Sequence, residues 1–507
     1  MKCVHERKDQ SVSFVKGAIL AAALSLGAAS TAFAGGGSGK SPSVDGAPDF
    51  FPESNTSTKG LRSLFPLGDR FEVIKLSTEK TPFQGVGEIP ARPKLAIELG
   101  DPFLDTGNLG AGFEIGTGAV WQPRLWAFMI YRTALQHFNN RATNNQSEWA
   151  NRLDLFANLQ LTGTEKLVFG IRPLDANRFG KFTRQTFDGR DEGFTTALNF
   201  DVTTFFFEGD FGSLFPNADI MGTKPIDWGF TIGRQVINFQ EGIMINDTLD
   251  AVGVVRNNII SIPGVSGMRL SFLYAWDSLD RPLGDSGVDA SLYGIFGSAD
   301  TYNTTYNFDM AYAYEDNDGT GDQLNLGLAA IQRVGNWSTA LRANLSIAPG
   351  DNSRGVADGL LLSTELSTTV PGSDDIFYLN PFVSFGQYSQ LGREPISGGP
   401  LGSLGIMFAS PNMGAYGAEI SPFTDDNIGF ATGYQAFWDH TRRNMILELA
   451  GRLNYNDHED ARNSVGIGVQ LQQAIGSHFQ VQAESFYAFR TGGTNNSGVR
   501  LELQVVY

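Results

Sequence analysis

The stretch that decides the fold is SGVRLELQVVY, residues 497–507, which ends the printed sequence. Its apolar side chains fall at every second position: Val499, Leu501, Leu503, Val505 and Tyr507. The side chains between them are polar through the middle of the stretch, at Arg500, Glu502 and Gln504. This alternation predicts a β-strand with one apolar and one polar face. Such a strand fits a closed barrel that is apolar outside and polar inside.

The same alternation recurs upstream and predicts an all-β chain, an antiparallel up-and-down transmembrane barrel of about eighteen strands. The strands are predicted at 118–135, 150–161, 165–173, 197–209, 226–235, 247–256, 267–276, 288–297, 303–314, 323–333, 336–347, 359–369, 375–387, 427–437, 443–453, 463–473, 477–489 and 497–507. Connections after odd-numbered strands are long, as at 137–147 and 389–426, and most others are short, as at 163–165. This difference is typical of barrels with long outer loops and tight periplasmic turns. The connection 211–225 departs from the rule.

A soluble β-sandwich or a propeller is the alternative architecture. A propeller needs a repeat of about 40–50 residues, and the sequence contains no such repeat. Apolar side chains facing outward on strand after strand fit lipid better than water. The composition agrees with a β protein, since 38 Phe and 7 Trp accompany 60 Gly.

Residues 1–34 are predicted to be a cleavable signal peptide. A basic start that includes Lys2 and Arg7 precedes the apolar residues 17–30, and Ala32-Phe33-Ala34 then supplies small residues at a cleavage site. A membrane anchor is the alternative, but the apolar stretch is shorter than the ~20 residues that a spanning helix needs. Cys3, the only cysteine, precedes the apolar stretch, so the mature chain is predicted to have no disulfide.

Residues 35–115 differ from the remainder and are predicted to form a periplasmic arm. Prolines are frequent there, including Pro48, Pro52 and Pro66, and the segment opens with a glycine-rich run. The alternative is a plug folded into the pore, which apolar side chains such as Phe65 and Phe83 would anchor. Residues 116–507 are predicted to be the barrel. The net charge of −17 argues against nucleic acid as a partner.

Charged residues on the polar faces of the strands are the candidates for lining a pore, because a charge at the lipid midplane costs about 2–4 kcal/mol. They are Arg152, Asp154, Arg172, Arg269, Asp309, Arg342, Glu365, Glu448, Arg452, Glu484, Arg500 and Glu502. One reading is a set of cross-strand ion pairs that brace the wall. The other is an arginine ladder that guides an anionic solute, since a guanidinium pairs with a carboxylate through two hydrogen bonds.

The connection 389–426 is predicted to fold inward and narrow the pore. An eighteen-strand barrel is too wide for wall side chains alone to fill. This connection carries the apolar run Ile406-Met407-Phe408, which a fully solvated loop would not favour. These three residues are the candidates for the constriction.

The sequence predicts a protein that is not an enzyme and that has no metal site and no cofactor. His137, His440, His458 and His478 lie at predicted strand ends or connections, without the surroundings of a nucleophile. The acidic stretch 316–322 lacks the spacing and the closing glutamate of a calcium-binding EF-hand.

Residues 116–507 resemble bacterial outer-membrane porins in architecture. In such barrels a terminal aromatic like Tyr507 belongs to the signal that the barrel-assembly machinery reads. Residues 227–235, DWGFTIGRQ, are similar to the strand that carries a Gly-Arg-Gln signature in the alginate-export family, and Glu241-Gly242 and Asn246-Asp247 continue the likeness. That resemblance implies an eighteen-strand barrel that passes an acidic polysaccharide.

The combined prediction is a channel in the outer membrane of a Gram-negative cell that passes hydrophilic, including anionic, solutes. The first alternative is an exopolysaccharide export channel of the alginate type. The second is a non-conducting structural or adhesion barrel that binds through its long outer loops. The predicted partners are outer-membrane lipid, the barrel-assembly machinery and a hydrophilic solute. The chain is predicted to be a monomer or a homotrimer.

Overall fold

A computed structural model describes residues 94–103, 110–139, 145–176, 181–188, 192–219, 226–259, 262–281, 290–315, 321–349, 356–394, 398–439, 441–456, 463–491 and 494–507. The predicted signal peptide and most of the predicted arm lie outside these residues. The chain divides into two units, Met1–Ile89 with Thr369–Ile376, and Pro90–Thr368 with Phe377–Tyr507. The described part of the first unit is a turn in which the Val370 N–H bonds to the Asp375 carbonyl at 2.8 Å.

The strands, in chain order, are β1 (Ile97–Leu99), β2 (Phe113–Glu114), β3 (Val120–Trp121), β4 (Arg124–Asn139), β5 (Gln146–Gln160), β6 (Lys166–Ile171), β7 (Asp175–Ala176), β8 (Lys181–Asp188), β9 (Gly193–Thr195), β10 (Val202–Asp210), β11 (Gly229–Phe239), β12 (Ile245–Arg256), β13 (Gly267–Asp277), β14 (Ala290–Asp300), β15 (Thr304–Glu315), β16 (Gln323–Val334), β17 (Trp337–Ile347), β18 (Gly359–Thr369), β19 (Ile376–Gly386), β20 (Gly392–Arg393), β21 (Asn427–Trp438), β22 (Arg443–Asn454), β23 (Ser464–Ile475), β24 (Phe479–Arg490) and β25 (Asn496–Val506). A short helix, α1 (Phe211–Leu214), and two 3-10 segments, Pro216–Asp219 and Pro400–Ser403, lie in connections. No helix within the described residues is long and apolar enough to cross a membrane.

The strands form a closed antiparallel barrel with eighteen positions, as the alternation predicts. The positions run from β4 and β5 through β6 and β10–β19 to β21–β25, and β25 pairs back onto β4 from Ser497↔Asn139 to Val506↔Ile130. The third position is divided between two strands. The C-terminal part of β5, from Leu155 to Gln160, pairs with β6, and its N-terminal part, from Ser147 to Asn151, pairs with β8. The connection 211–228, which departs from the predicted length rule, holds α1 and one 3-10 segment.

The first barrel strand differs from its predicted bounds. It spans Arg124–Asn139 rather than 118–135, and Val120–Trp121 belongs instead to a separate two-stranded pairing with Phe113–Glu114. Gly118, with φ +89°, turns the chain within that pairing, and Pro123 precedes the barrel strand. A left-handed glycine and a proline both interrupt a regular strand.

The two faces of the wall alternate as the sequence pattern requires. On β25, Val499 and Leu501 are exposed, whereas Arg500 and Glu502 are buried. The same holds on β15, where Phe308 and Met310 are exposed around the buried Asp309. Since the exposed row is apolar and the buried row is polar, the apolar face is the outer face of the barrel.

Candidate functional site

Two segments of the chain lie against the inner face of the barrel. The first is the end of the β11–β12 hairpin that contains its turn, residues 235–249, which we call the inserted hairpin. The second is the described part of the connection from β19 to β21, residues 387–394 and 398–426, and we call it the inner loop. Their contacts with the wall determine which parts of the interior are filled.

The inserted hairpin leaves the wall at Gly233. β11 pairs with β10 only as far as Arg234, and β12 pairs with β13 only from Asp250 onward. The two strands nevertheless stay paired with each other to their ends. Gly233 has φ +123°, and a Cβ there would clash with the carbonyl oxygen of Phe205. Only glycine allows this departure, because it alone combines that backbone conformation with so close an approach.

The tip of the inserted hairpin contacts the inner face of distant strands. Gln240 Nε2 donates to Asp309 Oδ2 of β15 at 2.5 Å. Glu241 lies 3.6 Å from the guanidinium of Arg342 on β17. Because Asp309 and Arg342 are buried inner-face residues, these contacts place the tip inside the barrel.

Arg234, the arginine of the Gly-Arg-Gln sequence, lies at the base of the inserted hairpin. Its Nε donates to Asp250 Oδ1 at 2.9 Å on the partner strand. Its Nη1 donates to the Val202 carbonyl of β10 at 3.1 Å, and its Nη2 donates to Ser278 Oγ beyond β13 at 2.9 Å. One side chain therefore ties the hairpin to both neighbours from which it separates.

The inner loop is held by wall side chains that donate to its backbone carbonyls. The pairs are Gln323 with Ser389, Asn380 with Leu404, Gln136 with Met413, Asn496 with Glu419, and Arg452 with Ser421, at 2.6–3.1 Å. These donors belong to β16, β19, β4, β25 and β22. The loop therefore follows much of the circumference and crosses the seam between the last and the first barrel strand.

The inner loop and the inserted hairpin are also joined to each other. β20, within the inner loop, pairs in parallel with the start of β12 through Ile245↔Gly392 and Asn246↔Arg393. Arg393 Nη1 donates to the Gly242 carbonyl at 2.6 Å. Burial lowers the pKa of this guanidinium to about 10, because the charged form loses its hydration.

The predicted constriction residues lie within the inner loop and pack against the wall. Met407 and Phe408 are fully buried, and Ile406 packs beside them against the same apolar cluster. Phe408 meets Phe382 of β19 edge to face, with ring centroids 5.7 Å apart. Glu448 of β22 accepts the backbone N–H groups of Ile406 and Met407 at 2.9 and 2.8 Å.

A group of carboxylates surrounds Arg500 on β25. Its guanidinium lies 2.6 Å from Glu484 of β24 and also bonds to Glu502. Glu419 of the inner loop packs beside this group, and its buried Oε2 has no hydrogen-bond partner within the described residues. Burial, the largest cause, and the neighbouring Glu484 raise the pKa of Glu419 well above its usual value.

Arginines pair with carboxylates on the inner face near β4 and β5. Arg132 Nε lies 2.6 Å from Glu502 Oε1. Arg152 and Arg172 both bond to Asp154, at 2.9 and 2.7 Å. The carboxylates in these pairs are more deeply buried than the guanidinium groups.

All twelve residues predicted to line the pore lie on the polar, inner side of the alternating pattern. Arg152 and Asp154 are on β5, Arg172 follows β6, Arg269 is on β13, Asp309 on β15, Arg342 on β17, Glu365 on β18, Glu448 and Arg452 on β22, Glu484 on β24, and Arg500 and Glu502 on β25. The structure brings Arg152, Asp154 and Arg172 together, and separately Glu484, Arg500 and Glu502. Arg342 pairs with Glu365 at 3.1 Å, Glu448 and Arg452 hold the inner loop, and Asp309 bonds to the inserted hairpin.

Residue-level prediction missed several interior residues, among them Arg132, Glu241 and Glu419. Arg132 alternates with Tyr131 and Thr133 in the first strand, so the same pattern was sufficient to identify it. Glu241 and Glu419 lie in connections, where no alternation marks a side chain as inward. Their places follow from tertiary folding of the hairpin and the loop.

The histidines give no sign of a catalytic group within the described residues. His137 contacts Ser147 Oγ at 2.7 Å, and His478 stacks on Tyr507 with ring centroids 4.3 Å apart. His440, His458 and residues 316–320 lie outside the described part of the chain. Among the residues that the structure describes, no group of three or more acidic, histidine or cysteine side chains could hold a metal ion.

No protein-family model matches the chain, and no curated protein matches it significantly. Solved structures do share its fold. The BenF-like porin from Pseudomonas fluorescens Pf-5 is 11% identical, with 76% of this chain and 98% of that chain covered and a TM-score of 0.52. OccK11 (OpdR) from Pseudomonas aeruginosa is 11% identical, with 78% and 98% covered and a TM-score of 0.51. OccAB3 from Acinetobacter baumannii is 12% identical, with 76% and 99% covered and a TM-score of 0.50.

These comparisons show that the chain has the closed eighteen-strand fold of outer-membrane porins. The likeness of residues 227–235 to the alginate-export family remains a prediction.

Proposed function

We propose that this protein is a porin-like channel of the outer membrane that passes hydrophilic solutes, with anionic groups preferred at one side of its interior. The observation that carries the proposal is the charged inner face of a closed barrel whose outer face is apolar. Such a wall is compatible with lipid on one side and water on the other. The shared fold of porins supports the proposal.

The ion pairs near β4 and β5 present their basic partner to the interior. The Arg132 side chain is 19% exposed, whereas that of Glu502 is 3% exposed. Arg152 and Arg172 are likewise more exposed than the shared Asp154. The solvent on this side therefore meets guanidinium groups, which bind carboxylates well.

The ion pairs on the opposite wall present their acidic partner. The Arg342 side chain on β17 is 3% exposed, while Glu241 is 63% exposed and Glu365 is also more exposed than the arginine. β4 and β5 are the first two of the eighteen positions and β17 is the eleventh, so the two groups face each other across the ring. An anionic group would be attracted to the first side and repelled by the second.

The test is single-channel conductance of the refolded protein in a planar bilayer under a salt gradient. The variant is Arg132→Gln with Arg172→Gln, because Glu502 and Asp154 each keep a second arginine partner, Arg500 and Arg152. A unit positive charge about 7 Å from the ion path stabilises an anion by about 0.6 kcal/mol in water and destabilises a cation by the same amount. We therefore expect the anion-to-cation permeability ratio to fall by up to about sevenfold for each arginine removed, and by less as salt screens the charge.

The control is Arg333→Gln with Arg443→Gln, which removes two exposed charges at the strand ends. This control should leave the permeability ratio near that of the parent protein. An unchanged ratio in the interior variant would contradict the anion preference. Absence of conductance in protein shown to be folded by heat-modifiable gel mobility would contradict the channel itself.

A further inference from the structure

Glu419 is a buried acid on a segment that touches the wall from inside. Its side chain is almost fully buried, and its backbone carbonyl accepts from Asn496 Nδ2 of β25 at 2.8 Å. The next residue, Ile420, donates its N–H to the Met407 carbonyl at 2.9 Å. Glu419 is thus fixed against the last barrel strand and against the apolar part of the inner loop.

The groups that face Glu419 come from the loop itself and from three wall strands. They are Tyr416 of the inner loop, Glu448 of β22, Glu484 of β24 and Arg500 of β25. The only cation among them, Arg500, already bonds to Glu484 and Glu502. Glu448 is occupied by two backbone N–H groups of the inner loop.

Within the described residues the buried Glu419 Oε2 has no hydrogen-bond partner, so an ionised Glu419 would be a buried charge without a donor. Arg500, the cation beside it, lies 2.6 Å from Glu484 and also bonds to Glu502, so it is already paired. A neutral Glu419 carboxyl therefore fits this site, and an ionised one does not. Loss of the carboxyl proton would place two like charges in contact within a buried site.

We propose that Glu419 and Glu484 form a proton-operated latch, in which protonated Glu419 keeps the inner loop against the wall and its ionisation releases the loop and widens the channel. This inference rests on the proposed channel function. The ligand of the latch is a proton, and the moving element is the part of the inner loop around Met407 and Glu419.

The direction of the pH dependence follows from the direction in which the pKa of Glu419 is shifted. The pKa of Glu419 is raised in the inserted loop, so the inserted state binds more protons than a released state in which the acid meets water. The inserted state is fully favoured below the ordinary pKa of glutamic acid. As pH rises from that value towards the raised pKa, the ratio of inserted to released loop falls about tenfold per pH unit.

The first experiment compares conductance of the parent protein and Glu419→Gln between about pH 5 and about pH 9. Glutamine keeps the size and the donor of the protonated acid but cannot ionise. The parent should conduct more as pH rises, and Glu419→Gln should keep its low-pH conductance throughout. The exposed Glu114→Gln should behave as the parent does.

The second experiment measures loop release without any current. Met407→Cys, in a Cys3→Ser background, is treated with a water-soluble maleimide, since Met407 is fully buried in the inserted loop. The labelling rate at position 407 is divided by the labelling rate of Tyr302→Cys, a highly exposed site. This division removes the pH dependence of thiol reactivity. The normalised rate should rise with pH by at least tenfold, and Glu419→Gln should abolish the rise.

The outcomes separate the two proposals. A pH-dependent labelling rate without conductance would support the latch and contradict the channel. Steady conductance with pH-independent current and labelling would support the channel and overturn the latch. A pH response that persists in Glu419→Gln would assign the titration to another group and also overturn the latch.

Discussion

Glu448 shows how one carboxylate can hold a segment of chain. It is fully buried and accepts the N–H groups of Ile406 and Met407, and the Tyr378 hydroxyl also donates to it. Hydrogen bonds to a charged acceptor contribute about 1.5–3 kcal/mol each. We expect Glu448→Gln to weaken insertion of the inner loop by about 2 kcal/mol or more. Limited proteolysis of the folded barrel should then cleave the inner loop faster.

The matched control is Glu208→Gln, which removes a half-exposed acid paired with Lys166 at 2.7 Å. An exposed pair of this kind contributes about 0–1 kcal/mol. Cleavage of the inner loop should therefore stay at the parental rate in this variant. Equal cleavage rates for Glu448→Gln and the parent would show that the carboxylate does not hold the loop.

At the residue scale, strand alternation was enough to predict inward charges but not their partners. The period of two placed Arg500 and Glu502 on the polar face. The pairing of Arg132 with Glu502 depends on closure of the first strand against the last, which joins residues 370 positions apart. Register across such a distance is a property of the whole ring, and local sequence does not contain it.

At the scale of elements, Gly233 determines where the inserted hairpin leaves the wall. Gly233→Ala adds a Cβ against the Phe205 carbonyl at a φ that side chains rarely adopt. We expect the folded barrel to lose about 1–3 kcal/mol of stability, which urea unfolding followed by tryptophan fluorescence would measure. Gly163→Ala, where a Cβ meets open space, should change little. Equal unfolding midpoints for the two variants would argue against a strained departure at Gly233.

The sequence did not predict that this hairpin turns inward. For the inner loop, it gave a partial signal of an inward position. Residues 226–235 and 247–256 alternate as wall strands do, and nothing in the pattern marks where pairing with the neighbours stops. The run Ile406-Met407-Phe408 did signal burial, because apolar side chains in a long connection require a covered surface. In the structure Phe408 packs against Phe382 of the wall, and a constriction formed by this run remains a prediction.

At the scale of the whole molecule, the apolar outer face should make stability depend on depth in the bilayer. Leu501 lies on the exposed face in the middle of β25, and Val505 lies on the same face near its end. Arginine costs about 2–4 kcal/mol at the bilayer midplane and about 0–1 kcal/mol near an interface. Leu501→Arg should therefore destabilise the barrel in lipid vesicles by about 2 kcal/mol more than Val505→Arg. Equal losses in urea unfolding would place these residues at equal depth or outside lipid.

The inner loop has a mechanical consequence for the ring that surrounds it. Neighbouring strands joined by hydrogen bonds resist separation, but a wide ring of them bends readily towards an ellipse. The carbonyls of Ser389 and Met413 are held by Gln323 on β16 and Gln136 on β4, the tenth and first of eighteen positions. The same loop is also bonded to Asn380 of β19 between these two points, so it follows the wall and braces the ring against such bending. The cross-section of this barrel is therefore maintained by one connection as well as by the pairing of its strands.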